Sequence, residues 1–294
     1  MSHVADEITT QPEVWARAAE LAASAESVAA LPAKGDRVAI VGCGTSWFMA
    51  QSAAVLREQA GQGETDAWPA SQFPTDRHYD LVIAITRSGT TTEVLELLRT
   101  LGPQQRSTVI TTEAEHPVVP LATHHVLLGF ADEQSVVQTR FATSVLAWWR
   151  AALGEDLSAA IEDARTELAA PLADEWVAAT QFTFLGDGWT VGLANEAALK
   201  LREAAQVWTE SYPAMEFRHG PISIVDERSV VWAFGDVPEG LADQVAATGA
   251  QLVHSDADPM ASLTTAQRVA VALAEAAGKN PDEPRALTRS IILA

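Results

Sequence analysis

Two stretches of this chain carry the same pattern, "VAIVGCGTSWFMAQSAAVLRE" (38–58) and "FTFLGDGWTVGLANEAALKLRE" (182–203). Each begins with a short apolar run, passes through Gly-x-Gly, and continues into a longer alanine- and leucine-rich segment. A run that is apolar on both faces belongs in a sheet covered on two sides, and a glycine turn leading into helix-forming residues completes a βα unit. Gly42 and Gly44 correspond to Gly186 and Gly188, which predicts an internal duplication of one α/β unit. Chance likeness between two βα units is the competing reading. Further strands are expected at 80–86, 107–112, 124–130, 229–235 and 251–255. Helices are expected at 91–101, 135–153, 157–176 (as one or two), 190–207 and near 239–249. The expected fold class is α/β, two tandem subdomains with parallel sheets flanked by helices. The expected organisation is an N-terminal helical segment (1–30), a first subdomain (31–155), a helical connection (156–177) and a second subdomain with the C-terminal tail (178–294).

Charge narrows the range of partners. The 39 acidic residues outweigh 19 basic ones, for a net charge of −20, so nucleic acid and anionic membranes are not expected to bind. No apolar run approaches the ~20 residues of a membrane span. "MSHVADEITTQPEVW" has neither the basic nor the apolar region of a signal peptide, so a cytoplasmic location is expected. The single cysteine, Cys43, precludes an internal disulfide. No spacing suggests a metal site, and no cofactor is expected. A dinucleotide fingerprint fails because Trp47 stands where a small residue is required.

Two glycine turns concentrate hydroxyls. In "VGCGTSW", Gly44, Thr45 and Ser46 open a helix, where backbone N–H groups favour an anion. In "ITRSGTTTEV", Thr86, Ser88, Thr90, Thr91 and Thr92 surround Gly89. Helix capping accounts for one or two of these hydroxyls but not five. Converging hydroxyls and amides at a helix N-terminus make a phosphate cradle that needs no lysine. The absence of G-x-x-x-x-G-K-[ST] speaks against a nucleoside triphosphate, leaving a small monophosphate. Downstream, Glu196, Lys200 and Glu203 share one helical face. They form either a solvated salt-bridge stripe, worth ~0.2–0.5 kcal/mol per pair, or the working face of an active site.

"GCGTS", "TRSGTTTE", "EQSVVQTRFAT", "EAALKLRE" and "ESYPAMEFRHGP" occur in an order that resembles the sugar isomerase (SIS) family. The likeness is closest to the isomerase half of glucosamine-6-phosphate synthase and to related deaminases and deglycases. "DEITTQP" and "NPDEPRALTRSIIL" extend it over nearly the whole chain. The resemblance implies two flavodoxin-like SIS subdomains, a homodimer with its active site near the subunit interface, and a sugar phosphate as ligand. It implies a phosphate held by Ser46, Thr86, Ser88 and Thr91, with close backbone approach at 42–44 and at Gly89. Arg87 stands where the synthases usually have glutamine, and either contacts phosphate or points to solvent. Glu203 is implied as the base moving a proton between C1 and C2, with Glu196 and Lys200 lining the same pocket. His219 is implied as the ring-opening acid–base, reaching the site from the neighbouring subunit; as a lone histidine before Gly-Pro it would otherwise read as a loop residue.

One departure from the family pattern matters. The tail lysine that forms a Schiff base in the synthases is replaced by Arg289, and a guanidinium does not form that imine. The glutamine-hydrolysing domain is also missing from this sequence, so glutamine-dependent synthase activity is not expected. The expectation is a cofactor-independent isomerase acting on a hexose or amino-sugar 6-phosphate, with loss of an amine as one form of the reaction. The alternatives are a fructosamine-6-phosphate deglycase and a sensor that binds without turnover.

Overall fold

The computed structural model describes residues 2–293. Three helices come first: α1 (His3–Thr9), α2 (Gln11–Ala22) and α3 (Ala25–Ala30). β1 (Val38–Gly42), α4 (Thr45–Gln59), β2 (Thr65–Pro69), β3 (Leu81–Ile85), α5 (Thr92–Leu101), β4 (Ser107–Thr111), β5 (His124–Leu127) and α6 (Arg140–Ala152) follow. α7 (Ser158–Ala169) and α8 (Asp174–Ala178) precede β6 (Gln181–Gly186), α9 (Thr190–Lys200), β7 (Thr209–Pro213), β8 (Ser229–Phe234), α10 (Leu241–Thr248), β9 (Gln251–His254) and α11 (Pro259–Ala276).

The chain divides into two compact units. One comprises Glu13–Glu133, Arg140–Leu157 and Thr288–Ala294, and holds a parallel sheet ordered β2-β1-β3-β4-β5. The other comprises Met1–Pro12, Gln134–Thr139 and Ser158–Leu287, with a parallel sheet ordered β7-β6-β8-β9. Both are α/β, as the duplicated pattern predicts, and both reverse strand order beside their first strand. In open parallel sheets that reversal leaves a crevice at the carboxyl ends of the strands, where ligands bind.

The reason the central strands read as mostly apolar runs is now visible. β1, β3 and β4 are buried at every position, as is β8 in the other sheet. In the five-stranded unit three tryptophan indoles pin the helical layer while keeping their N–H groups bonded, as buried indoles require. Trp148 donates to Ser27 Oγ (3.0 Å), Trp15 to Thr143 Oγ1 (2.8 Å) and Trp149 to the Ala53 carbonyl (2.9 Å).

The glycine repeat has a steric cause. A Cβ on Gly42 would lie 2.6 Å from the Ser46 carbonyl carbon, and one on Gly186 would lie 2.4 Å from the Thr190 carbonyl oxygen. In both units the strand therefore meets the helix it feeds too closely for any side chain. Gly42→Ala and Gly186→Ala are each expected to lower the melting temperature through overpacking of about 1–3 kcal/mol, measurable by thermal unfolding of the two variants.

Several elements differ from expectation. The helix expected over 135–153 begins only at Arg140. The segment before it is drawn out because the buried Glu7 carboxylate accepts the N–H groups of Gln134 (2.5 Å) and Ser135 (3.3 Å) together with the Ser135 hydroxyl. The strand expected at 124–130 stops at Leu127 and a 3₁₀ turn follows. Edge strands β2, "TDAWP", and β7, "TESYP", lack the apolar signature because they are mostly half-exposed. Their likeness to each other is a further mark of the duplication. Helix α11 lies where no element was expected. Among the described residues no helix is long and apolar enough to cross a membrane.

Candidate active site

Around the crevice of the five-stranded unit lie the turn after β1 and the loop after β3, which bring Gly44, Thr45 and Ser46 beside adjacent strand ends with Thr86, Arg87, Ser88, Gly89 and Thr91. Gly44 caps α4 at φ 54°, and Thr45 and Ser46 are buried in its first turn. Thr86 and Ser88 are also buried. Gly89 has φ 61°, and a Cβ there would stand 2.4 Å from that of His116, whose ring supports the loop from behind. His116 Nδ1 is itself 2.9 Å from Thr111 Oγ1. Beneath the turn, burial and then the Glu93 charge push the Cys43 thiol up to about 11, so it is protonated near neutrality.

The five hydroxyls divide their work. Ser88 Oγ lies 3.5 Å from Thr91 Oγ1 and accepts the Thr90 N–H (3.3 Å). Thr90, Thr91 and Thr92 engage the C-terminal tail. Ser290 Oγ is 3.0 Å from Thr90 Oγ1 and 3.4 Å from Thr91 Oγ1. The Thr92 N–H donates to the Ile291 carbonyl (3.1 Å), and the Leu293 N–H donates to Thr92 Oγ1 (2.9 Å). An amide at the head of α5, which has no partner within the helix, is thus satisfied by the tail.

Arg87 does not point to solvent. It is buried, 3.6 Å from the equally buried Glu133, and donates to the Arg289 carbonyl (3.1 Å). The Arg289 side chain donates to Asp132 Oδ1 (2.6 Å) and to the Glu133 carbonyl. Both arginines therefore fasten the tail to the segment preceding α6. Reading the sequence alone missed Glu133, although it stands inside the quoted "EQSVVQTRFAT" motif, and missed Ser290 and His116, which carry no signal of their own.

In the four-stranded unit, Glu196 and Lys200 lie on α9 and are 0% and 1% exposed at their side chains. Lys200 Nζ is 3.4 Å from Glu196 Oε1 and 2.5 Å from Glu203 Oε2. Glu203, at 17% exposure, is the member that reaches solvent. The solvated stripe is ruled out by this burial. His219 ends a 3₁₀ turn and is exposed, and among the described residues nothing hydrogen-bonds its imidazole.

The helix expected to run unbroken over 190–207 leaves α-geometry at Lys200. Leu201–Ala205 form a π-helical turn, and Gln206 closes it at φ 57°. The duplication explains why. The two repeated stretches end alike in Leu-Arg-Glu, but the second is one residue longer, and one added residue is what a π-turn absorbs. In the first copy both polar residues serve the fold: Arg57 donates to Thr65 Oγ1 (2.8 Å), and Glu58 accepts the Thr65 N–H (2.8 Å). In the second, Arg202 keeps the matching bond to Thr209 Oγ1 (3.0 Å), while Glu203 turns to Lys200. The extra residue releases a carboxylate from structural duty and sets it beside an ammonium, at the wall of a cleft of about 450 Å³.

This fold is the tandem sugar-isomerase (SIS) architecture of the solved structures it resembles. Its relatives by sequence are glutamine–fructose-6-phosphate aminotransferases of the isomerizing type. The one from Sulfolobus acidocaldarius is 26% identical over 293 residues, covering 87% of this chain and 50% of that protein. The chain thus spans about half the length of the curated relatives it matches. Among solved structures, glucosamine-6-phosphate deaminase from Thermotoga maritima superposes with a TM-score of 0.80 at 22% identity, covering 99% of this chain and all of that one. Tagatose-6-phosphate ketose/aldose isomerase from Escherichia coli gives 0.76 at 22% identity, covering 98% and 95%. No family model matches the sequence.

Proposed function

We propose that the protein is a phosphosugar isomerase-type enzyme acting on a hexose or amino-sugar 6-phosphate, and that Glu203 is its proton carrier. The observation that carries this reading is the Glu196–Lys200–Glu203 cluster, with Glu203 displaced toward a cleft by the π-turn and held 2.5 Å from Lys200. Aldose–ketose interconversion requires one carboxylate to take a proton from one of two adjacent carbons and return it to the other. The Lys200 ammonium lies 2.5 Å from the carboxylate that would begin this step and holds it in place. The partly exposed Glu203 is suited to meet substrate, while buried Glu196 and Lys200 fix its position. His219 is proposed to open the sugar ring, its exposed imidazole being free to serve a site completed by a second copy of the chain. The phosphate is proposed to rest on Ser46, Thr86, Ser88 and Thr91, at the strand ends where parallel sheets bind anions.

When the sugar bears an amine at C2, the same proton movement yields an imine. Water adds across its C=N bond to give a carbinolamine, the C2–N bond breaks as the new hydroxyl's proton passes to nitrogen, and ammonia leaves; the transferred proton stays on C1, giving the ketose 6-phosphate without change of oxidation state. Arg289 is compatible with this route because no enzyme-bound Schiff base is formed. Purified protein incubated with glucosamine 6-phosphate is expected to produce fructose 6-phosphate and ammonia in equal amounts by NMR. Tight binding without product, here and with plain ketose phosphates, would favour the sensor.

A further inference from the structure

The head of α5 holds hydroxyls that the fold leaves unused. Thr91 is the N-cap residue of α5, yet its side chain makes no capping bond. Its Oγ1 instead lies 3.5 Å from Ser88 Oγ and 3.4 Å from Ser290 Oγ. Those separations exceed the ~2.5–3.0 Å of a sound O–H···O bond. They suit another purpose, since two hydroxyl oxygens so spaced can each reach about 2.7 Å to one acceptor lying beside both. Ser46 and Thr86, at 3% and 4% exposure, have side chains with no hydrogen-bond partner among the described residues. Buried donors left over beside a helix N-terminus call for an anion.

Ser290 comes from the far end of the chain, and the tail does not need its hydroxyl as an anchor. The residues on either side are held by their backbone. Arg87 Nη2 donates to the Arg289 carbonyl (3.1 Å), the Thr92 N–H to the Ile291 carbonyl (3.1 Å), and the Leu293 N–H to Thr92 Oγ1 (2.9 Å). Between these anchors Ser290 is half-buried, and its Oγ accepts from Thr90 Oγ1 at 3.0 Å. The serine thus keeps its own proton to donate, and the only other contact of its hydroxyl among the described residues is Thr91, at 3.4 Å. A donor fixed in advance on both sides costs little to order when a ligand arrives.

We propose that Ser290 is a further phosphate-binding residue, its hydroxyl donating alongside those of Ser88 and Thr91 to the oxygens of a phosphate monoester. The proposal deepens the phosphate site proposed above and rests on it. Bonds from hydroxyls to a charged oxygen are roughly twice as strong as those between neutral groups. Exchanging the long contacts among Ser88, Thr91 and Ser290 for bonds to phosphate is therefore favourable. The tail becomes part of the site, and by linkage a bound phosphate holds the tail as firmly as the tail holds the phosphate.

The test titrates inorganic phosphate and fructose 6-phosphate by calorimetry into Glu203→Gln protein, in which turnover is expected to be blocked. Adding Ser290→Ala is expected to weaken both probes by the same factor, about ten-fold, as loss of a hydrogen bond to a charged group does. Ser290→Thr keeps the hydroxyl and is expected to recover most of that loss. Thr288→Val is the control for a loosened tail, because it removes the 2.8 Å bond from Thr288 Oγ1 to the Ser290 carbonyl and no hydroxyl of the site. It is expected to leave both affinities unchanged. Unchanged affinity in Ser290→Ala, with Thr91→Val still weakening both probes, would overturn the role of Ser290 and leave the phosphate site standing. So would an equal loss in Thr288→Val, or a loss confined to fructose 6-phosphate. Failure of the Glu203→Gln protein itself to bind either probe would overturn the phosphate site and the role of Ser290 together.

Discussion

Glu203→Gln is expected to reduce turnover of sugar 6-phosphates by about 10²–10⁴-fold, the usual contribution of a positioned general base, while ligand binding and melting temperature change little. The fold should tolerate the substitution because the Glu203 side chain is partly exposed in the π-turn and glutamine keeps its shape. What is lost is the capacity to hold the migrating proton. Steady-state kinetics beside calorimetric binding separate the two effects. Unchanged turnover would remove Glu203 from the mechanism and leave the π-turn without a catalytic role.

Lys200→Met is expected to act on stability first. Lys200 is 1% exposed at its side chain and lies between two carboxylates, one of them fully buried. Removing one partner of a buried pair leaves an uncompensated charge, a loss of about 3–5 kcal/mol. For a chain of this size that lowers the melting temperature on the order of 10 °C. The double variant Glu196→Leu, Lys200→Met, which removes both charges, should recover most of the loss, since well-packed apolar residues commonly replace a buried ion pair without penalty. If the double variant is no more stable than the single one, the Glu196–Lys200 pair is not the source of the effect.

What the sequence made legible follows from periodicity. Central strands such as β1, β3 and β8 announce themselves because both faces are covered, and Gly42 and Gly186 stand out because the strand–helix approach admits no side chain. The edge strands β2 and β7 were hidden because their exposed faces carry Asp66 and Glu210, which resemble loop residues. The π-turn could have been inferred from the one-residue difference between the repeats, but only after the repeats were aligned through their Leu-Arg-Glu ends. The role of Arg87 could not be read at all. Its fate is set by Glu133 and by the Arg289 carbonyl, 202 residues away, and such long-range partners leave no local pattern.

The two copies also differ in what they present at the turn after the glycine pair. Where the five-stranded unit places Ser46 near Thr86 and Ser88, the four-stranded unit places Thr190, whose hydroxyl bonds the Phe234 carbonyl at 2.7 Å and the Asp187 N–H at 2.8 Å. That hydroxyl is committed to the fold, and Asp187 would repel a phosphate. The second copy puts its departure elsewhere, in the π-turn that carries Glu203. Under the proposed reading, one repeat serves anion contact and the other proton movement.

The most direct test of the central claim is proton exchange at the sugar carbons, because it does not depend on the identity of a leaving group. Fructose 6-phosphate incubated with the protein in D₂O should gain deuterium at C1, followed by NMR, and Glu203→Gln should abolish the exchange. Absence of exchange from fructose 6-phosphate, tagatose 6-phosphate and their amino-sugar counterparts, despite measurable binding, would contradict an isomerase and leave a sugar-phosphate-binding protein in its place.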